Sequence, residues 1–386
     1  MPGPATSART ALLALPLAGL LAGAGGARAE ATAAGTCAGP TSAGARPLRT
    51  IVAPPAGGGV LLGAFPFLGN SEDVVTAERI TQFEGLAGRE LAWVYASDNW
   101  FGGIRFPARS VATIRRTGSV PFLRLMPRSS WREGARDPRY SMQSILAGRH
   151  DAALRAWGRA AARSGGPLMV EFATEANGSW FPWSGAWNGG AVTTRYGDRR
   201  WPDGPERVRD AYRHVVDVVR GAGARNVTWV LHLDAGSDPA AAWNAPRWYW
   251  PGDRYVDWIG LSAYGSQSRD EAVRPLEDVL APGYRAVSRL SSTRPIALLE
   301  FAVADDARSP QDGGRDEAAW TSAAFDAIES GRYPRLRGVA WWHERWTEDD
   351  GSVVDLRVDS SPALLDAFRA RVANARYVSR ARTRCG

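Results

Sequence analysis

The sequence predicts a single (β/α)8 barrel on three observations. Eight short apolar runs alternate with amphipathic stretches from residue 59 onward, which is the signature of a parallel α/β fold. Eight such units in roughly 320 residues suit a closed barrel better than an open doubly wound sheet. The first run also lacks a G-x-G-x-x-G turn into its helix, which argues against a dinucleotide fold.

Taken in order, the first strand candidate is 59–67 (GVLLGAFPF), followed by a helical stretch over 71–88. The second is 90–96 (ELAWVYA) and the third 120–126 (VPFLRLM), with a helix at 150–164 ahead of the fourth, 167–173 (PLMVEFA). The next helix, 205–222, carries Val208, Tyr212, Val215, Val216 and Val219 on one face. Pro205 suits its start, and Gly221 and Gly223 suit its end. The remaining strands are 226–233 (NVTWVLHL), 256–263 (VDWIGLSA), 295–301 (PIALLEF) and 338–343 (GVAWWH). Helices at 275–291, 315–330 and 361–375 complete the alternation.

Residues 1–29 read as a secretory signal peptide. Arg9 supplies the positive charge, 11–23 the apolar run and Ala27-Arg28-Ala29 the cleavage site. That run is too short to span a bilayer, so the expectation is a secreted, extracellular protein without membrane insertion. Residues 30–55 read as a flexible lead-in, and 56–386 as the barrel. The two cysteines, Cys37 and Cys385, are expected to bridge the ends of the mature chain in an oxidising compartment.

The formal charge is +7, but the basic residues alternate with acids, as in Glu206-Arg207-Val208-Arg209-Asp210. No basic run is interleaved with aromatics, so a nucleic-acid partner is not expected. All 47 basic residues are Arg, which carries no functional weight. The four histidines show no metal-ligand spacing, and Glu348-Asp349-Asp350 reads as a solvated loop. No metal and no cofactor are therefore expected. Nothing in the sequence demands more than a monomer.

Barrel chemistry sits at the C-terminal strand ends and the loops after them. The fourth strand is followed by Thr174-Glu175-Ala176-Asn177-Gly178-Ser179-Trp180-Phe181-Pro182-Trp183, and the seventh ends on Glu300. A retaining glycosidase needs one protonated and one ionised carboxyl across a short gap. The aromatic surround of Glu175 favours its acid form, so Glu175 is the expected acid/base and Glu300 the expected nucleophile. Expected substrate-binding residues are Trp180, Tyr264, Trp341, Trp342, His232, His343, Asn177 and Arg124. Only one of the adjacent Trp341 and Trp342 can face the barrel interior. The 17 tryptophans suit sugar platforms.

Segment 174–183 (TEANGSWFPW) resembles the fourth-strand motif of glycoside hydrolase family 26, a β-mannanase-like family of retaining barrel enzymes. The stretch 251–264 (PGDRYVDWIGLSAY) resembles its approach to the sixth strand, and 295–301 its nucleophile strand. The resemblance runs over roughly residues 59–370. It implies hydrolysis of a β-linked polysaccharide, with Glu175 as acid/base, Glu300 as nucleophile, Trp180 packed near the donor and Tyr264 beside the nucleophile. The chain departs from the family pattern at Glu171, Thr174 and Ser262, where that family usually carries Arg, His and Asp. Mannan, β-glucan, xylan and bacterial exopolysaccharide are the expected substrate range. The rival expectation is a carbohydrate-binding barrel without catalysis.

Overall fold

A computed structural model describes residues 48–66, 72–268, 271–306, 311, 313–348 and 351–386. Ahead of the barrel lies a short strand, β1 (Thr50–Ala53). The barrel strands are β2 (Val60–Phe65), β3 (Trp93–Asn99), β4 (Val120–Met126), β5 (Leu168–Phe172), β6 (Val227–Asp234), β7 (Trp258–Ser262), β8 (Ile296–Phe301) and β9 (Leu336–Trp342). Each pairs in parallel with the next, and β2 pairs back onto β9 from Leu61 opposite Gly338 to Phe65 opposite Trp342. The barrel strands are buried almost throughout. That is why they read as continuous apolar runs rather than as alternating ones.

The outer ring is α1 (Ala77–Ala87), α2 (Ala108–Arg116), α3 (Met142–Leu146), α4 (Asp151–Arg163), α5 (Asp203–Gly221), α6 (Leu276–Ser288), α7 (Glu317–Glu329) and α8 (Pro362–Val372). Thr76, Asp316 and Ser361 cap α1, α7 and α8 by accepting a backbone N–H. The apolar face expected for α5 is buried at all five positions. Two helices escaped the sequence reading. In α2 the apolar face is broken by arginines, and α3 is too short to show a period.

Within the barrel Trp93 is fully buried, and two glycines make room for it. A Cβ at Gly63 or at Gly338 would collide with its indole. The floor is closed by β1 pairing antiparallel with β13 (Arg382–Cys385), Thr50 opposite Cys385. Thr50 N–H donates to Arg225 O, Val52 N–H to Thr228 Oγ1, and Trp258 Nε1 to Val52 O, which binds β1 to the start of β6 and β7. Residues 50–53, expected within the flexible lead-in, are thus a strand, because their backbone groups find partners on both sides. A two-residue strand, β12 (Tyr377–Val378), pairs in parallel with β2. Cys385 is disulfide-bonded, while Cys37, like the proposed signal peptide, lies outside the described residues. At the opposite end a small hairpin, β10 (Arg345–Thr347) and β11 (Val353–Asp355), follows β9. No helix among the described residues is long and apolar enough to cross a membrane.

Candidate active site

Glu175 leaves β5 through a strained turn. Ala173 and Glu175 adopt φ of 58° and 48°, left-handed values that cost a non-glycine residue free energy and gather at functional sites. The turn is tied down on all sides. Glu175 N–H donates to His232 O at 3.0 Å, Gly178 N–H to Glu175 O at 2.8 Å, and Trp183 Nε1 to Thr174 O at 2.6 Å. Asn177 locks the turn to the end of β6, donating to Asp234 O and Ser237 Oγ while accepting from Asp234 N–H. Trp180 then folds back across Gly178, where a Cβ would strike the indole, and its Nε1 donates to Glu175 Oε2 at 2.9 Å.

Glu300 is aimed by a break in register. Leu261 pairs with Leu298 but Ser262 pairs with Glu300, so Leu299 is an extra residue. Bulges of this kind re-aim side chains beside active sites. Gly260 accommodates Leu299, whose side chain a Cβ there would strike. Both Glu300 oxygens are engaged. Arg124 Nη2 donates to Oε1 at 3.0 Å, and Tyr264 O–H donates to Oε2 at 2.8 Å.

The two carboxylates share a buried charge network. One oxygen of Glu175, one of Glu300 and a ring nitrogen of His232 all lie within 4.8 Å of one another. Burial, reinforced by the charge of Glu300, pushes the Glu175 carboxyl up to about 8. Burial also raises Glu300, while Arg124, His232 and Tyr264 pull it back. Below them Glu171 opposes its own burial. The His232 imidazole and the Arg124 guanidinium hold it under the usual carboxylate range. His232 is raised in turn, its burial outweighed by Glu171. The environment therefore favours a protonated Glu175 above a charged Glu171–His232–Arg124 layer.

The expected site residues divide into three groups. Trp180 and Tyr264 reach the two carboxylates directly. Trp342 faces the mouth, stacked on Phe65 at 4.0 Å with the Arg124 guanidinium 4.6 Å over its ring. Arg124 and His232 are close to the chemistry but nearly inaccessible, so they support the carboxylates from beneath rather than line a substrate surface. The expectation fails for Trp341, His343 and Asn177. Trp341 points outward among Phe301, Trp320 and Phe368 and donates to Leu356 O. It takes the face opposite Trp342, as strand alternation requires. His343 is buried against Phe83, accepts Val358 N–H, and burial pushes it down to about 3. Asn177 is fully buried in the bracing contacts already described.

Two acids escaped the sequence reading. Glu344 accepts from Trp342 Nε1 at 2.9 Å, and burial and the charge of Glu72 push its carboxyl well above the usual range. Period-two alternation from Trp342 would have found it. Glu72 precedes α1 and reaches Ser97 Oγ at 2.9 Å and Arg124 at 3.8 Å. No motif marked it.

Glu175, His232 and Glu300 have a spacing that could hold a metal ion, but their donor atoms are already engaged. His232 Nδ1 meets Glu171 and Thr174, His232 Nε2 meets Ser262 Oγ, and Glu300 is held by Arg124 and Tyr264. A cation placed there would also face the Arg124 guanidinium, so the set does not fit a metal.

A profile described as Glycosyl hydrolase family 26 matches residues 156–292, a span that contains Glu175 and Tyr264 and stops short of Glu300. Endoglucanase H of Acetivibrio thermocellus is 26% identical over 296 residues, 76% of this chain; the chain spans about 29% of that protein's length. Among solved structures, the Bacillus subtilis mannanase BCman aligns with a TM-score of 0.52 at 20% identity, covering 83% of this chain and 87% of that one. A Cellulomonas fimi endo-β-1,4-mannanase aligns with a TM-score of 0.57 at 18% identity, covering 83% and 72%. The chain is thus similar to glycosyl hydrolase family 26 over the matched residues and to one endoglucanase in sequence, and it shares its closed barrel with solved mannanases.

Proposed function

We propose that the protein is a retaining endo-β-glycosidase that hydrolyses a β-linked polysaccharide, and that it works outside the cell as a monomer after removal of residues 1–29. The observation that carries this reading is the approach of Glu175 and Glu300 oxygens to within 4.8 Å. Carboxyl groups about 5–5.5 Å apart suit a covalent glycosyl intermediate, whereas inverting enzymes leave about 6.5–9.5 Å for water.

In the first step Glu300 attacks the anomeric carbon, and the departing glycosidic oxygen takes the proton of Glu175. The bond to the leaving sugar breaks as the ester to Glu300 forms. In the second step Glu175, now a carboxylate, takes a proton from water, whose oxygen displaces Glu300 and restores both groups. Arg124 and Tyr264 hold the nucleophile in line. Trp180 offers an indole face to a sugar ring, while Trp342, stacked on Phe65 and covered by Arg124, shapes the wall of the site. Relatives named as mannanases and an endoglucanase support a β-linked polymer such as mannan.

The test is reducing-sugar release by residues 30–386 from β-mannan, β-glucan, xylan and bacterial exopolysaccharides, with the anomeric form of the first product followed by NMR. Cleavage with the β-anomer appearing first, and losses of about 10²–10⁴-fold in Glu175→Ala and Glu300→Ala, uphold the reading. An α-anomer or full activity in either variant overturns the mechanism. Binding without cleavage across the panel favours a carbohydrate-binding barrel.

A further inference from the structure

Near the turn that carries Trp180 lies a polar cavity of about 350 Å³, lined in part by Arg136, Trp187, Gly189, Arg195, Asp203 and Arg207. It is attached to the site already described, since Trp187 Nε1 donates to the carbonyl of Ser179, the residue before Trp180. Its construction separates structural from unused groups. Arg207 is structural, donating to Asn188 O and Arg195 O and lying over the Tyr196 ring. Gly189 keeps the cavity open, because a Cβ there would strike Arg207 and Asp203.

Asp203 Oδ2 likewise serves the fold, accepting Arg195 N–H at 2.9 Å and lying 3.9 Å from Arg207 Nη2, whereas other groups of the lining are left over. Arg136 and Arg195 are exposed, and neither guanidinium has a hydrogen bond or ion pair among the described residues. Asp203 is wholly buried in the lining, and its Oδ1 has no hydrogen-bond partner. The Trp187 indole is 37% exposed although its Nε1 is satisfied, so its ring is free for packing. Two spare guanidinium forks, an indole face and an unpaired carboxylate oxygen suit different parts of one ligand. Arginine forks match a carboxylate bidentately, an indole packs on a sugar's C–H face, and a carboxylate oxygen accepts from a hydroxyl or from a water bridging to one.

We infer that this cavity is a remote subsite for a uronic acid residue of the polymer, with Arg136 and Arg195 holding its carboxylate and Trp187 its ring. The inference rests on the proposed hydrolysis of a polysaccharide and narrows it to carboxylated polymers.

The test measures binding separately from cleavage. Full-length mature protein carrying Glu300→Gln is titrated calorimetrically with glucuronoxylan and with a glucuronic-acid-bearing bacterial exopolysaccharide. Each is run beside its carboxyl-reduced form at fixed ionic strength. The expected result is binding of at least one native polymer about tenfold tighter than its reduced form, with the difference abolished by Arg136→Ala/Arg195→Ala and the binding weakened by Trp187→Ala. With Glu300 restored, the double arginine variant is expected to cleave the carboxyl-reduced polymer as the parent does. Equal affinity for native and reduced forms, or a preference that survives the arginine substitutions, overturns the subsite. So does competition by inorganic phosphate that matches the native polymer, which marks a plain anion site. Failure of the hydrolytic reading appears instead as absence of cleavage in the parent, and leaves these binding measurements intact.

Discussion

His232 Nδ1 lies 2.8 Å from Glu171 Oε2, and both side chains are buried. The same nitrogen meets Thr174 Oγ1 at 2.8 Å, and Nε2 meets Ser262 Oγ at 2.8 Å. Glu171, Thr174 and Ser262, the positions at which the sequence departs from the pattern of the family it resembles, therefore meet on a single imidazole. Ser262 also lowers Glu175. The departures form one coupled layer beneath the carboxylates, and changing one of them alters the charge felt by all.

Glu171→Gln tests that layer. Glu171 raises His232 and so favours its cation, which in turn lowers Glu175. Without the anion the burial of His232 is no longer offset by Glu171, so His232 falls and Glu175 rises further. At Glu300 the two losses oppose each other, because His232 lowers it and Glu171 raises it. The expected outcome is a basic limb of kcat/KM displaced upward by about one pH unit, with the acidic limb nearly in place. A basic limb that stays or moves down shows that the imidazole does not couple to Glu175.

The proposed mechanism gives the unmodified protein its own pH signature. In the proposed mechanism Glu175 must carry a proton to release the leaving group, and burial beside Glu300 pushes its carboxyl up to about 8. The kcat/KM profile is expected to hold through neutrality and to fall above about pH 8, roughly tenfold per unit. A basic limb below pH 6 would mean that another group supplies the proton.

Tyr264→Phe removes the one hydroxyl donated to Glu300 Oε2 and leaves the ring in place. A hydrogen bond to a charged group contributes about 1.5–3 kcal/mol, so kcat is expected to fall by about 10–100-fold with the fold intact by circular dichroism. An unchanged kcat would leave Arg124 as the only group that holds the nucleophile.

The barrel and both central glutamates were legible in the sequence for related reasons. Parallel strands buried on both faces must be apolar, so Glu300 at the end of IALLEF and Glu175 just beyond PLMVEFA stand out as charges against that background. Side-chain direction was less legible. Trp341 and Trp342 are identical in composition and neighbours in sequence, and only the register with β2 decides that Trp342 meets Phe65. Asn177 and His343 looked like mouth residues because strand ends carry both ligands and braces, and polarity alone does not separate the two. Glu72 was invisible because its partners, Ser97 and Arg124, come from β3 and β4. The floor strand β1 was hidden because its partner lies at the far end of the chain.

The tryptophan pair gives a direct check on facing. Trp341→Phe loses the bond to Leu356 O and the fit to Phe368, and is expected to lower stability by about 1–3 kcal/mol with unchanged kinetics. Trp342→Phe keeps an aromatic on Phe65 but loses the donor to Glu344 and the larger face beneath Arg124. It is expected to raise KM several-fold with a smaller stability change. Denaturant midpoints and steady-state kinetics on both variants decide the matter, and equal kinetic losses would contradict the opposite facing.

Gly178→Ala probes whether Trp180 tunes the acid. Gly178 is indifferent to chain direction here, because its φ is not among the positive values; its role is space, since an added Cβ would meet the Trp180 ring. The half-exposed indole can swing outward, so the barrel is expected to fold with nearly unchanged thermal stability. What is lost is the Nε1 bond to Glu175 Oε2, which favours the ionised carboxyl by donating to it. The acid should then hold its proton more tightly and deliver it more slowly, giving a kcat lower by about tenfold, consistent with one lost charge-assisted hydrogen bond. The basic limb should move upward. Substrates with an activated leaving group, which need little protonation, should be nearly unaffected in their first step. If activated and ordinary substrates suffer alike, Trp180 serves only as a sugar platform and the bond to Glu175 is incidental.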